Sequence, residues 1–135
     1  MEFTSVNKTF ESAFKKHWDR PAISNYQGVT LHYRDVARRI EKLHIMFEEC
    51  GLQKGDKVAL CSRNQANWAV AFLAAMTYGA VPVPLLHEFK SSNIHHLVNH
   101  SEAKILFVDD VIWEGITETE MPELHAIIQV NTFKL

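Results

Sequence analysis

The chain has little to cross-link it, since its 135 residues include only two cysteines, Cys50 and Cys61. A disulfide framework is therefore excluded, and a chain of this length can bury enough surface to fold without one. A bridge between the two would need Cα atoms within about 7 Å, and reduced, buried thiols are the expectation. Long apolar runs are also missing. The longest, Trp68 to Met76, spans nine residues, against the roughly 20 that cross a bilayer. No transmembrane segment is expected. Met1 is followed by polar Glu2, Thr4, Ser5, Asn7 and Lys8, so no signal peptide is read and a cytoplasmic location is expected. Excess charge is absent as well. A net charge of -2 and a pI near 6.4 give no electrostatic case for nucleic acid or an anionic membrane. Lys15-Lys16 and Arg38-Arg39 are the only neighbouring basic pairs, and neither makes a patch.

Glycine is scarce too. The five, at 28, 51, 55, 79 and 115, form no G-x-G-x-x-G pattern. Gly51-Leu52-Gln53-Lys54-Gly55-Asp56-Lys57 resembles a P-loop only superficially. It has three rather than four residues between its glycines, and Val58 stands where a metal-binding hydroxyl would be needed. It also leads into an apolar strand pattern, whereas a phosphate loop must open a helix. A helix-to-strand turn is the expected structure.

What is present is alternation. Phe10, Ala13, Phe14 and Trp18 fall at helical spacing before Pro21. Pro21 to Ser24 and Val29 to Leu31 then predict a small hairpin. Val36, Ile40, Leu43 and Phe47 form one apolar stripe, which predicts an amphipathic helix closed by Gly51. Lys57 to Cys61 reads as a buried parallel strand. Asn64 is the predicted N-cap of a helix ending at Gly79, apolar on nearly every face and so expected to be buried. In Val81-Pro82-Val83-Pro84-Leu85 the two prolines cannot donate to a ladder, so the segment belongs at a sheet edge or bulge. Ser91 or Ser92 would cap a helix to about Ser101. Lys104 to Val108 reads as another buried strand, Asp109-Asp110 open a weaker helix or loop, and Ala126 to Ile128 suggest a last strand. The rhythm predicts an α/β fold, a layered sheet of mainly parallel strands with flanking helices. No linker, repeat or low-complexity tract divides it, so residues 1–135 are expected to form a single unit.

Candidate chemistry is sparse. His96 and His100 share one helical face, a spacing able to hold a divalent metal, but no H-E-x-x-H pattern accompanies them. Half-exposed imidazoles are the expectation. His32, His44, His87 and His125 are isolated and have no local support as general bases. Asp109, Asp110, Glu114, Glu118, Glu120 and Glu123 match neither an EF-hand loop nor a fixed catalytic pair, and a solvated acidic face is expected. Ser62, Ser91 and Ser92 lack a G-x-S-x-G context. The Trp68 to Met76 run could line an acyl pocket, but a core helix explains it without further assumption.

Several blocks in fixed order carry a resemblance over about residues 9 to 130. They are Leu31-His32-Tyr33-Arg34-Asp35-Val36, Gly51-x-x-x-Gly55-Asp56-x-Val58, Asn64 before the apolar helix, Gly79-Ala80-x-x-Val83-Pro84-Leu85, and Asn99-His100-Ser101-Glu102-Ala103-Lys104 before a strand. Together these resemble the opening blocks of the adenylate-forming (AMP-binding) enzymes, and most of all the long-chain fatty acid–CoA ligases (acyl-CoA synthetases). His32 and Asp35 take the places of the family's Thr and Glu capping box.

The resemblance implies the N-terminal subdomain of the acyl-CoA synthetase fold, a portion of an ATP-dependent ligase. Such a ligase turns a carboxylate into an acyl-adenylate and pyrophosphate, then forms a thioester with CoA and releases AMP. ATP, Mg²⁺ and CoA are implied for the full-length parent. None is expected to be held by this chain, because the family's Ser/Thr/Gly-rich loop with its Lys, its Thr-Glu motif and its Tyr-x-Thr-Gly-Asp motif do not occur in it. Some relatives carry an Arg after the Val-Pro segment that approaches CoA, and here that position is Glu88. The resemblance thus assigns no catalytic, cofactor-binding or metal-binding residue, and the chain alone is expected to be inactive.

The implied partners are the rest of its own polypeptide and, in the full-length enzyme, a fatty acid. Self-association is expected if missing parts normally cover a sheet face or edge. In the cell the parent is expected in the cytoplasm or at a membrane face. Two alternatives remain open: a free-standing binding or regulatory module paired with a separate catalytic chain, and a flavodoxin-like nucleotide binder, which would need a phosphate loop.

Overall fold

The computed structural model describes residues 21–24, 30–63 and 65–135. The helix expected over Thr9 to Trp18 and the turn of the first hairpin lie outside them. Strands β1 (Pro21–Ser24) and β2 (Thr30–His32) pair antiparallel, as the sequence predicts. Helix α1 (Tyr33–Glu49) follows at once. Its stripe of Val36, Ile40, Leu43 and Phe47 is buried as expected. At its start the His32 backbone N–H donates to Asp35 Oδ2 at 3.0 Å, and this bond chiefly holds the Asp35 carboxyl below its usual value. At its end Gly51 takes φ +76°, and Leu52 N–H returns to Phe47 O at 2.9 Å, which satisfies a terminal carbonyl.

The main sheet contains β3 (Lys57–Cys61), β4 (Val81–Leu85), β5 (Ile105–Val108) and β6 (Ala126–Gln129), in the order β4-β3-β5-β6 and all parallel. Between them run α2 (Ala66–Tyr78), α3 (Ser91–Ser101), the short α4 (Asp110–Gly115) and a 3-10 turn at Glu118–Glu120. Side-chain alternation splits the core into two layers. Val58, Leu60, Ile105, Phe107 and Ile128 face α1 and α2, while Ala59, Cys61, Leu106, Val108 and Ile127 face Ile94 and Val98 of α3. Phe47 sits at the centre of the first layer, edge-on to Tyr78 at 5.3 Å and to Phe107 at 6.1 Å.

Strand β4 lies at the sheet edge, as its prolines require. Val81 N–H donates inward to Asp56 O at 2.8 Å. By alternation the backbone nitrogens of Pro82 and Pro84 face the open side, where they carry no hydrogen.

Three expectations need correction. Asn64 lies outside the described residues, and the N-cap of α2 falls on Gln65, with no side-chain cap. Helix α2 is not buried on every face. Ala66, Asn67, Val70, Ala71, Ala74 and Ala75 are buried, whereas Trp68, Ala69, Phe72, Leu73 and Met76 are only half-buried. Small residues let the helix approach the sheet, and the large ones, including the stacked pair Trp68–Phe72, ring its outer side. The N-cap of α3 is Lys90, so Ser91 and Ser92 lie in the first turn rather than at the cap.

Candidate functional site

The strand order positions a crevice. The chain leaves β3 for α2 on one face of the sheet and leaves β5 for α4 on the other, so the connections from the two central strands diverge while the strands stay paired to Cys61 and Val108. In open α/β sheets this divergence is where ligands bind. Ser62 and Arg63 follow β3 there, and Asp109 and Asp110 follow β5.

Asp109 is completely buried, which corrects the expected solvated acidic face for this residue. Its Oδ2 accepts the Arg63 backbone N–H at 3.0 Å and Arg63 Nε–H at 3.1 Å, while Oδ1 caps α4 by accepting Ile112 N–H at 2.9 Å. Burial opposes ionisation of Asp109, but these bonds and the guanidinium charge outweigh it, and the carboxyl stays below its usual value. Arg63 Nη2 donates to Asp110 Oδ1 at 3.1 Å, and the arginine side chain remains 54% exposed. Asp110, Glu114, Glu118, Glu120 and Glu123 are exposed, as expected.

The network continues through Asn67. Its Nδ2 donates to Val130 O at 2.8 Å and Asn131 O at 3.3 Å, and its Oδ1 accepts from Arg39 of α1. Asn131 Oδ1 in turn accepts Asp110 N–H at 3.0 Å. Three helices, both central strand exits and the loop after β6 are thereby tied together. The carboxylate that could act as a base is already used in holding the rim, so the arrangement is a lock rather than an acid–base pair.

The other sequence candidates disperse. Ser62 Oγ donates to Arg63 O at 2.9 Å and accepts from Gln65 Nε2 at 3.2 Å, with no histidine involved. Cys50 and Cys61 are free. Burial, aided by the Asp109 charge, pushes the Cys61 thiol up to about 11, so it is no thiolate nucleophile near neutrality. His87 and Glu88 are exposed and lie 3.9 Å apart. The Gly51 to Asp56 turn leads into β3, so it is the helix-to-strand turn that was expected.

A cavity of about 470 Å³ opens at the opposite end of the sheet, lined by His44, Glu48, Leu52, Gln53, Lys54, Thr77 and Tyr78. His44 Nε2 lies 3.1 Å from Ala74 O, an atom that only accepts, so Nε2 carries the proton. Burial pushes this imidazole's pKa down. Sequence reasoning passed over Arg63 and Asn67. The signal was available for the pair: a charged residue stands within two positions of the end of each of two buried parallel strands, Arg63 after β3 and Asp109 after β5.

The family model for AMP-binding enzymes matches residues 10–134. The chain belongs to the AMP-binding enzyme family. Among its relatives, surfactin synthase subunit 2 of Bacillus subtilis (strain 168) is 26% identical over 108 residues, covering 80% of this chain and 3% of that protein. Fatty acyl-CoA synthetase A of Dictyostelium discoideum is 30% identical over 101 residues, covering 75% of this chain and 15% of that protein. In fold, the chain superposes with a TM-score of 0.81 on a long-chain-fatty-acid-CoA ligase from Archaeoglobus fulgidus, at 22% identity, covering 94% of this chain and 27% of the ligase. The chain thus spans a small fraction of the length of the proteins it matches.

Proposed function

We propose that residues 1–135 are the single N-terminal subdomain of an adenylate-forming ligase, one that activates a long-chain fatty acid with ATP and Mg²⁺ and passes it to CoA. The observation carrying this reading is the family match along 10–134, joined to a rim at the strand ends whose polar groups are bonded to one another. The likeness to a fatty acyl-CoA synthetase at 30% identity supports the fatty acid. The likeness to a surfactin synthase subunit makes the acid the part of the reading most in need of test.

Within that reading the chain builds and braces one wall of a larger enzyme. The described residues do not fit ATP or Mg²⁺. Both Asp109 oxygens are taken by protein donors, no group of three His, Cys, Asp or Glu side chains gathers among the described residues, and the glycine turn feeds a strand. The chemistry then belongs to the rest of the polypeptide, its chief partner, in the cytoplasm or at a membrane face.

The test is ATP–pyrophosphate exchange with the purified chain and a panel of fatty acids. No exchange is expected, and measurable exchange would refute the reading. Sequencing the source reading frame past Leu135 separates this reading from a free-standing regulatory module. A frame continuing into a Ser/Thr/Gly-rich loop with Lys fits a ligase, and an early stop fits the module.

A further inference from the structure

We propose that His96 and His100 form a bidentate site for a divalent transition-metal ion, of the class that prefers imidazole, on the exposed face of α3. The two residues lie four apart near the end of an 11-residue helix, where side chains of successive turns stand side by side. Their rings are 6.1 Å apart between centroids and only 16° from parallel. Both are exposed. Among the described residues no hydrogen bond or ion pair engages either ring, so both keep their nitrogens available.

Two imidazole nitrogens bound to one ion at about 2.0–2.1 Å bring the ring centroids to about 5 Å. Because each nitrogen lone pair lies in its ring plane, both solvent-facing side chains must rotate about χ1 and χ2 to turn their nitrogens to one ion and close the remaining gap from 6.1 Å. The neighbouring His95 is different. Its Nε2 accepts Thr117 N–H at 2.9 Å, so it is committed to the loop and serves as an internal control.

The donor set fixes the class of ion. Two neutral nitrogens, with no carboxylate or thiolate gathered beside them to make a group of three, do not suit Mg²⁺ or Ca²⁺, which prefer oxygen. They suit Cu²⁺ ahead of Ni²⁺ and Zn²⁺, with water in the remaining positions. The ion would clamp the last two turns of α3, the segment that feeds β5.

The experiment is calorimetric titration of the tag-free chain with CuCl₂ and then ZnCl₂, with an EPR spectrum of the copper form and melting curves with and without metal. One ion per chain, a copper spectrum with two nitrogen ligands and a metal-dependent rise in Tm are expected. His96→Gln and His100→Gln, both at exposed positions, should each turn the chelate into a single ligand, lower the affinity about a hundredfold and abolish the rise in Tm. His95→Gln should bind as the parent does. Absence of binding in the parent, parent-like affinity in either the His96 or the His100 variant, or loss of binding in the His95 variant would overturn the proposal.

Discussion

Arg63 and Asp109, 46 residues apart, close the rim of the sheet. The backbone N–H and the Nε–H of Arg63 donate to one oxygen of the buried Asp109 carboxylate, at 3.0 and 3.1 Å. The second oxygen caps α4. One side chain thereby joins the exits of both central strands to the start of a helix. The partners are unequal in burial, because the guanidinium is half in solvent and the carboxylate is not.

That inequality ranks two substitutions. Asp109→Asn weakens three bonds to a buried acceptor and should cost about 2–3 kcal/mol. Arg63→Ala leaves the backbone N–H and the Ile112 N–H on the carboxylate and removes a half-exposed partner, so about 1–2 kcal/mol is expected. Urea midpoints at pH 7 give both values. A larger loss for Arg63→Ala than for Asp109→Asn would contradict the assignment of Asp109 as the fixed centre.

The same carboxylate sets an acid limit. Its folded pKa lies below the ordinary value, so its contribution is fully present above the unfolded pKa of about 3.9. It is lost as pH falls through the lower folded value. The stability gap between the parent and Asp109→Asn should therefore be constant from pH 7 to about 5 and shrink below about 4. Denaturation of both proteins at pH 7 and pH 3 measures it, and a gap unchanged at pH 3 would sink the argument.

The sequence made much of this architecture legible. The stripe through Val36, Ile40, Leu43 and Phe47, the apolar runs at β3 and β5, and the two prolines of β4 each follow from a local rule of spacing or bonding. What was not legible depended on tertiary pairing. Asp109 looked like the start of an acidic surface, because its burial depends on Arg63, which is distant in sequence and adjacent in space. Helix α2 misled for a related reason. A helix with no polar face does not reveal which side meets the sheet, and here residue size decides it, with Ala71, Ala74 and Ala75 inward and Trp68 and Phe72 outward.

Two glycines separate backbone strain from crowding. Gly51 and Gly79 both hold φ in the left-handed region, at +76° and +94°, but a Cβ on Gly51 would meet nothing within 4 Å whereas one on Gly79 would stand 3.2 Å from Lys54 Cγ. Alanine at either site should cost about 1–2 kcal/mol from the backbone alone. Gly79→Ala should cost a few tenths of a kcal/mol more, because the flexible Lys54 side chain must yield. Thermal unfolding of the two variants, and of Gly79→Ala with Lys54→Ala, resolves the terms. If the Lys54 change restores nothing, the contact has no energetic role.

The prolines of β4 make a last prediction about self-association. Pro82 and Pro84 leave the β4 edge of the main sheet without outward backbone donors along that strand, which is how natural edges resist pairing with another chain. Exposed apolar side chains remain close to the carboxyl end of the sheet, with Leu86 62% and Val111 58% exposed. The chain should therefore bind a hydrophobic dye, and any association at the β4 side should arise from side chains rather than from strand addition to β4. Replacing both prolines with valine restores two outward N–H groups. Light scattering should then show association that rises with concentration well beyond the parent's, with an increase in β signal. If the double variant stays no more associated than the parent, the prolines do not guard the edge.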